Sequence, residues 1–438
     1  MLNKDAIIQR LDQATCDELG AISMVPAFLF IVAPLVDVAV CIANNYVHPD
    51  VRTVFYDIVS TWIFPLSVLF ALGTAFCVLW RHMRGLERTP KNRIVTYCLF
   101  AILLALALAS TLLNEDNPNR FFGYYPSMVG MNTYALFVLV YFWTSSHASK
   151  AKPRRLMCDL LCLVSIPVGI HALWIAISYG APNFIIREQP EGIFYNTNHY
   201  GYYLTMVIVL SATLLSLERT IQKRLFYLVV FVFNTVVLIL NNTFGAYLAC
   251  IVGLAAMLVG CWLVRRSHMR SSATVMALFF ALLGIVSIWD QAMLSSFTKL
   301  LFDISLISGR EKDADAAGSG RWRLWKATVG FIAQRPLFGW GADGFADALK
   351  EVAGNPRTHC EPLMYASFFG IPAAICYLGA CASVLVANVR ERLTLDDTTL
   401  ACAFAALAYF ASSLVGNMCF YTAPLFFILM GMSFARDE

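Results

Sequence analysis

Twelve apolar runs of helix length constrain this chain more than any other feature. They lie near residues 22–43, 56–80, 94–113, 125–144, 157–178, 198–216, 224–240, 244–264, 272–289, 362–388, 397–415 and 420–435. A bilayer core is crossed by about 20 apolar residues of helix. The pattern predicts an all-α polytopic membrane protein with about 12 transmembrane helices, forming a single integral membrane domain over residues 1–438. Composition agrees. Of the residues, 59% are hydrophobic and 14% charged, where soluble domains carry about 25% charged residues. The net charge of +4 is spread along the chain, and no basic block suits nucleic acid as a partner. The 13 cysteines are not a disulfide framework, since all but Cys16 and Cys360 sit in apolar runs as small hydrophobes. Residues 1–20 are polar, with Asp5, Asp12, Asp17 and Glu18, and do not read as a signal peptide.

Loop charge gives the direction. The loops after the second and fourth runs, RHMRGLERTPKNR and SSHASKAKPRR, are rich in Lys and Arg. Arg219, Lys223 and Arg224 follow the sixth run, Arg265, Arg266 and Arg270 the eighth, and Arg390 and Arg392 the tenth. The short loops of the other side carry at most single basic residues such as Arg52, Arg120 and Arg187. Basic loops stay cytoplasmic, so both termini are expected there. That puts Cys16 and Cys360 on opposite sides, so a disulfide between them is not expected.

The long interruption, residues 290–361, is then an external loop between the ninth and tenth spans. It is expected to be helical. AMLSSFTKLLFDISLIS places Met293, Phe297, Leu300, Leu301 and Ile304 at helical spacing, and RWRLWKATVGFIAQ places Trp322, Trp325, Val329 and Ile332 on one stripe. Such amphipathic helices lie on a membrane surface or cap a bundle. The polar GREKDADAAGSG separates them, and the glycines of RPLFGWGADGF allow turns and close backbone approach.

Ionisable groups inside a membrane are costly and mark candidate sites. Asp37 and His171 are the main ones within spans, and a paired group inside the bundle is the plainer reading of each. The external face is richer. Arg187, Asn196, Asn198 and His199 lead into the sixth span, with Asn198 also readable as a helix N-cap. Asn241 and Asn242 turn between the seventh and eighth spans. Arg321 and Arg323 precede the Trp-bearing helix, whose Trp322 and Trp325 read as packing or interface anchors. His359 and Glu361 close the loop, where Glu361-Pro362 also reads as a helix start. Guanidinium forks bind phosphate oxygens, and a His or Glu takes a proton from a hydroxyl.

These residues resemble the O-antigen ligase and O-antigen polymerase superfamily, polytopic membrane glycosyltransferases of the bacterial envelope. The family pattern sets an Arg before a Gly-x-Phe-x-Asn-x-Asn-like step into a helix. Here Arg187 precedes Gly192-Ile-Phe-Tyr-Asn196-Thr-Asn198-His199. A later Arg and Trp lead into Pro-Leu-x-Gly-x-Gly-x-x-x-Phe, here Arg321, Trp325 and Pro336-Leu-Phe-Gly339-Trp-Gly341-Ala-Asp-Gly344-Phe345. A His then precedes the next span, here His359-Cys-Glu361, with Gly370-Ile371 beyond it. The likeness covers roughly residues 185–390. Two positions depart from it. The family's Ser-Arg-Gly step reads Thr243-Phe244-Gly245 here, and Cys360 follows the His where Asn is common.

The resemblance implies a polyprenyl-diphosphate-linked oligosaccharide donor and a glycan or glycolipid acceptor. The site would lie on the outer face of the bacterial cytoplasmic (inner) membrane, in surface-polysaccharide or lipopolysaccharide assembly. His359 or Glu361 would be the general base. Arg187, Arg321 and Arg323 would hold the diphosphate, and Asn196, Asn198, His199, Gly339 and Gly341 would contact substrate. No metal or cofactor is implied, and one direct displacement would invert the anomeric carbon. Ligase and polymerase both remain open. So do a non-catalytic relative that binds lipid-linked glycan, and a secondary transporter coupled through Asp37 or His171. The absence of an internal repeat and the lopsided position of the long loop count against the transporter.

Overall fold

The computed structural model describes residues 24–43, 64–85, 91–123, 128–147, 151–180, 190–194, 196–289 and 317–433, with a few isolated positions between them. The described residues form helices and turns, without a strand. The helices are α1 (Val25–Ala43), α2 (Phe64–Met83), α3 (Lys91–Leu113), α4 (Met131–His147), α5 (Ala151–Gly180), α6 (Thr197–Leu217), α7 (Ile221–Asn241), α8 (Phe244–Val264), α9 (Met269–Trp289), α10 (Arg321–Gln334), α11 (Ala346–Ala353), α12 (Glu361–Phe369), α13 (Ile371–Arg390), α14 (Asp397–Ser413) and α15 (Ala423–Met432). Among the described residues, eight stretches are long and apolar enough to cross a membrane, and they fall in α1, α3, α5, α6, α7, α8, α9 and α13. This is a multi-pass helical membrane architecture.

α6 is the central column. Every residue from Tyr200 to Leu217 is buried, as expected of a helix that is apolar all round. Three of its aliphatic hydroxyls are satisfied there, since Thr205, Thr213 and Ser216 donate back to the carbonyls of Gly201, Val209 and Ala212, each at 2.8 Å. α7, α8 and α14 pack around it. Small residues set the approach: a Cβ on Gly253 of α8 would fall 2.7 Å from Val209 of α6 and 2.8 Å from Ala408 of α14. A second layer pairs α3 with α13 and α4 with α15.

Several expectations are corrected. The tenth run is two helices, broken at Gly370, whose φ is +94°. Pro372 cannot supply the N–H that a continuous helix would need, and Ile371 N–H instead donates to Pro336 O at 2.8 Å. α10 does form over RWRLWKATVGFIAQ, but its buried stripe is Leu324, Thr328 and Ile332, while Val329 is exposed. Packing against α11 and α12 selects that face. The helix expected over residues 292–308 lies outside the described residues except at Thr298 and Phe302, and Cys16 and Arg187 lie outside them too; Cys360 is a free thiol.

Candidate active site

A cavity of about 660 Å³ opens at the end of the bundle where α6 and α8 begin. Thr197 and Asn198 line it from α6, Asn242 to Gly245 from the α7–α8 turn, Gly320 to Trp325 from α10, and Asn355 and His359 from the segment before α12. Arg321, Arg323, Asn198 and His359 thus meet in one space, from three separate parts of the chain. Helix starts carry partial positive charge, so the starts of α6, α8 and α10 add to the two guanidinium groups. Among the described residues, neither Arg321 nor Arg323 has a carboxylate partner within ion-pair reach. Arg323 does donate to Ala353 O at 2.9 Å, at the end of α11.

His359 is held tightly. Its backbone is left-handed, with φ +50°, a strained choice for a residue with a side chain. The strain is stabilised from both sides. His359 N–H donates to Asn417 Oδ1 at 2.7 Å, and Trp325 Nε1 reaches His359 O at 3.4 Å. Behind it, Arg357 pairs with buried Asp343 through both carboxylate oxygens, the longer contact being 3.0 Å. The ring lies between two amides: Asn417 Nδ2 is 3.2 Å from Nδ1, and Asn355 Nδ2 is 3.3 Å from Nε2. Each amide oxygen is already engaged, by His359 N–H and by Arg357 N–H. Both ring nitrogens therefore face donors, which disfavours the doubly protonated ring. Burial, Arg321 and Arg357 act the same way and hold the imidazole down at about 4.

The other expected site residues lie elsewhere. Glu361 is fully buried, and its oxygens accept from Tyr377 and Tyr409 hydroxyls at 3.0 Å each. Burial pushes its carboxyl up to about 7, against the pull of those hydroxyls. It starts α12, as its Glu-Pro step predicts, and ties α12 to α13 and α14. Asn196 is the N-cap of α6, accepting from Asn198 N–H at 2.9 Å and His199 N–H at 3.3 Å. The cap is therefore Asn196 rather than Asn198. His199 Nδ1 contacts Tyr421 OH at 2.6 Å, away from the cavity. Gly339 and Gly341 dock the loop onto α12: Trp340 and Gly341 N–H groups donate to Ser367 and Phe368 O, each at 2.9 Å. A Cβ on Gly339 would stand 2.5 Å from Phe368 O. These glycines serve backbone packing. Asp37 and His171 are buried far along other helices and line no part of the cavity.

Sequence reasoning passed over Asn417 and Asn355. Asn417 comes from the α14–α15 turn, far away in the chain, and only its lack of apolar character marked it. The external loop also contains Asp313-Ala314-Asp315, an Asp-x-Asp pair that the sequence reading overlooked. Asp313 lies outside the described residues, and Asp315 is exposed and paired with Lys326. Among the described residues no cluster of His, Cys, Asp and Glu could hold a metal ion.

Fold and cavity together define a multi-pass helical membrane protein with a cationic site at one end of its bundle. Residues 229–378, from α7 into α13, match the family described as O-antigen ligase. This stretch, about a third of the chain, supports a relation to the O-antigen ligase superfamily, a family whose ligase-like function is of glycosyltransferase type and implies a lipid-linked glycan donor. The matched stretch contains Arg321, Arg323 and His359. No curated protein matches the chain.

Proposed function

We propose that the protein transfers an oligosaccharide from polyprenyl diphosphate to a sugar hydroxyl, as a surface-polysaccharide ligase or polymerase. The site would face the outside of the cytoplasmic membrane, with twelve crossings and both termini inside. The observation that carries this reading is the cavity holding Arg321, Arg323 and His359, where no carboxylate among the described residues pairs with the two guanidinium groups. Such a space accepts an anion beside a proton acceptor.

In the proposed reaction, the acceptor hydroxyl oxygen attacks the anomeric carbon as the bond from that carbon to the diphosphate oxygen breaks. The electron pair leaves with polyprenyl diphosphate, and the hydroxyl proton passes to His359. Arg321 and Arg323 stabilise the charge gathering on the departing oxygen, which is where preorganised donors are worth most. One displacement inverts the anomeric carbon. The diphosphate's negative charge offsets that of Arg321, so His359 becomes more basic once donor is bound. Asn355 is the cavity-facing neighbour that an acceptor hydroxyl would displace, while Asn417 holds the ring. Glu361, with both oxygens engaged, acts by holding α12 in place.

The test is product analysis in vesicles supplied with polyprenyl-diphosphate oligosaccharide and acceptor. Wild type should move glycan, and Arg321→Ala and His359→Ala at matched protein level should not. A ladder of products would mark a polymerase, and a single transfer a ligase. Full activity in His359→Ala would overturn its assignment as base. If wild type fails with every acceptor yet retains donor, the non-catalytic reading replaces this one.

A further inference from the structure

A second cleft, of about 290 Å³, lies at the far end of α10, where its C-terminus meets the end of α3. It shares no lining residue with the catalytic cavity. Asn114 and Arg335 supply its polar side, and Leu113, Leu337 and Phe338 its apolar side. Arg335 is built into place. Its Nη1 donates to Asn114 Oδ1 at 2.6 Å, and its guanidinium lies 4.1 Å from the centre of the Trp340 ring. Trp340 is itself fixed, donating through Nε1 to Phe331 O at 2.9 Å. A guanidinium offers five N–H donors in a rigid fork, and stacking on an aromatic face leaves its edge open. Among the described residues no carboxylate pairs with Arg335. Glu115 and Asp116 follow Asn114 in the chain but do not line the cleft.

The apolar side is as telling. Leu113 is 64% exposed and Leu337 63%, beside a charged group. Water is a poor environment for them. They continue into faces that the protein leaves uncovered on two candidate spans: Leu108 and Leu112 on α3, and Ile371 and Ile375 on α13. The cleft therefore sits where two spans end, with a phosphate-binding fork at headgroup level and hydrocarbon-facing surface below it. We propose that it binds the phosphate of an anionic membrane phospholipid, with the acyl chains lying along α3 and α13. The same segment docks on the α12–α13 break through Pro336 O and Trp340 N–H. A bound lipid would brace the loop that leads to His359.

The test uses the full chain in nanodiscs of phosphatidylcholine mixed with phosphatidylglycerol, followed by gentle extraction and native mass spectrometry. Wild type should retain phosphatidylglycerol in preference to phosphatidylcholine. Arg335→Ala should lower that retention about tenfold, as loss of a charge-assisted contact worth about 1.4 kcal/mol would. Arg335→Lys keeps the charge and loses the fork, so it should fall between them and guards against a folding defect in Arg335→Ala. Arg392→Ala, exposed at the opposite end, should match wild type. Equal retention by wild type and both Arg335 variants, or equal retention of the two lipids, would overturn the proposal. A third arm titrates the detergent-solubilised protein with inorganic phosphate. Arg335-dependent binding of phosphate there, without lipid preference in nanodiscs, would show an anion site but not a lipid site, and would also overturn it.

Discussion

The two ends of the bundle treat charge in opposite ways. Where α5, α7 and α14 begin, the cations drawn into the packing are matched. Arg154, fully buried, pairs with Asp396, the N-cap of α14. Arg155 bridges Glu218 at 2.5 Å and Asp159 at 3.2 Å, and Arg265 meets Asp397 at 3.1 Å. At the other end of α6, about 30 Å away, Arg321 and Arg323 face a cavity whose lining, among the described residues, holds no carboxylate. Arg357, paired with Asp343 behind His359, and Lys326, paired with exposed Asp315, are exceptions there. Paired cations join helices. Cations left open at a cavity cost stability through mutual repulsion, and a ligand of opposite charge relieves it. The difference separates scaffold from site more clearly than residue type does.

The comparison would break most visibly at Arg321. Arg321→Ala should lower kcat/KM for transfer about 10³-fold, the scale of a lost transition-state donor, while thermal stability holds or rises slightly as repulsion is relieved. A loss under about tenfold would mean that the open cation is not catalytic. His359→Ala should follow, at about 10²-fold. Its pH behaviour sharpens the test. The folded-state value near 4 lies below the ordinary value of 6.5. As pH falls between these, the unfolded chain takes up the proton first, so this group withdraws stability over that window. His359→Ala should remove that part of the acid-side loss in melting temperature. For the wild type, kcat/KM reports the free enzyme and kcat the loaded one. Bound diphosphate raises the imidazole, so the acid limb of kcat should sit at higher pH than that of kcat/KM. Coincident limbs would contradict the placement of the anion beside Arg321.

At the paired end the signs reverse. Arg154→Ala leaves Asp396 without its buried partner and should cost about 3 kcal/mol of stability. Activity per folded molecule should hold. If the activity loss instead exceeds the folding loss, the two ends are coupled and the division into scaffold and site fails.

Much of this was legible in the sequence because burial and charge are read locally. Apolar periodicity marked the helices, and α8 begins and ends where its run does. Loop charge foretold the basic end. Arg321, Arg323 and His359 stood out as polar groups at helix entrances, and the cavity gathers them. The rest depends on long-range geometry. Gly339 and Gly341 looked like substrate contacts because glycine permits close approach, but the backbone approached is that of α12. Glu361 looked like a base, yet hydroxyls from α13 and α14 enclose it. Asn417 carries no local signal, since what gives it a role is a His 58 positions away in the chain.

The smallest effect tests the departure from the family pattern. Phe244 lines the cavity at the start of α8, where the pattern has an Arg. The cavity is wide enough for a longer side chain, and the helix start itself supplies only partial charge. Phe244→Arg should therefore strengthen donor binding about fivefold, roughly 1 kcal/mol, and make it more sensitive to salt. Part of the gain is spent on repulsion from Arg321 and Arg323, which is why the effect is modest. The measurement is donor Kd at low and high ionic strength for wild type and variant. Weaker binding in the variant would show that Phe244 contributes an apolar contact of its own, against a sugar face or the first isoprene units. The site would then be tuned for a different donor region, and the open cations at α10 alone would carry the diphosphate.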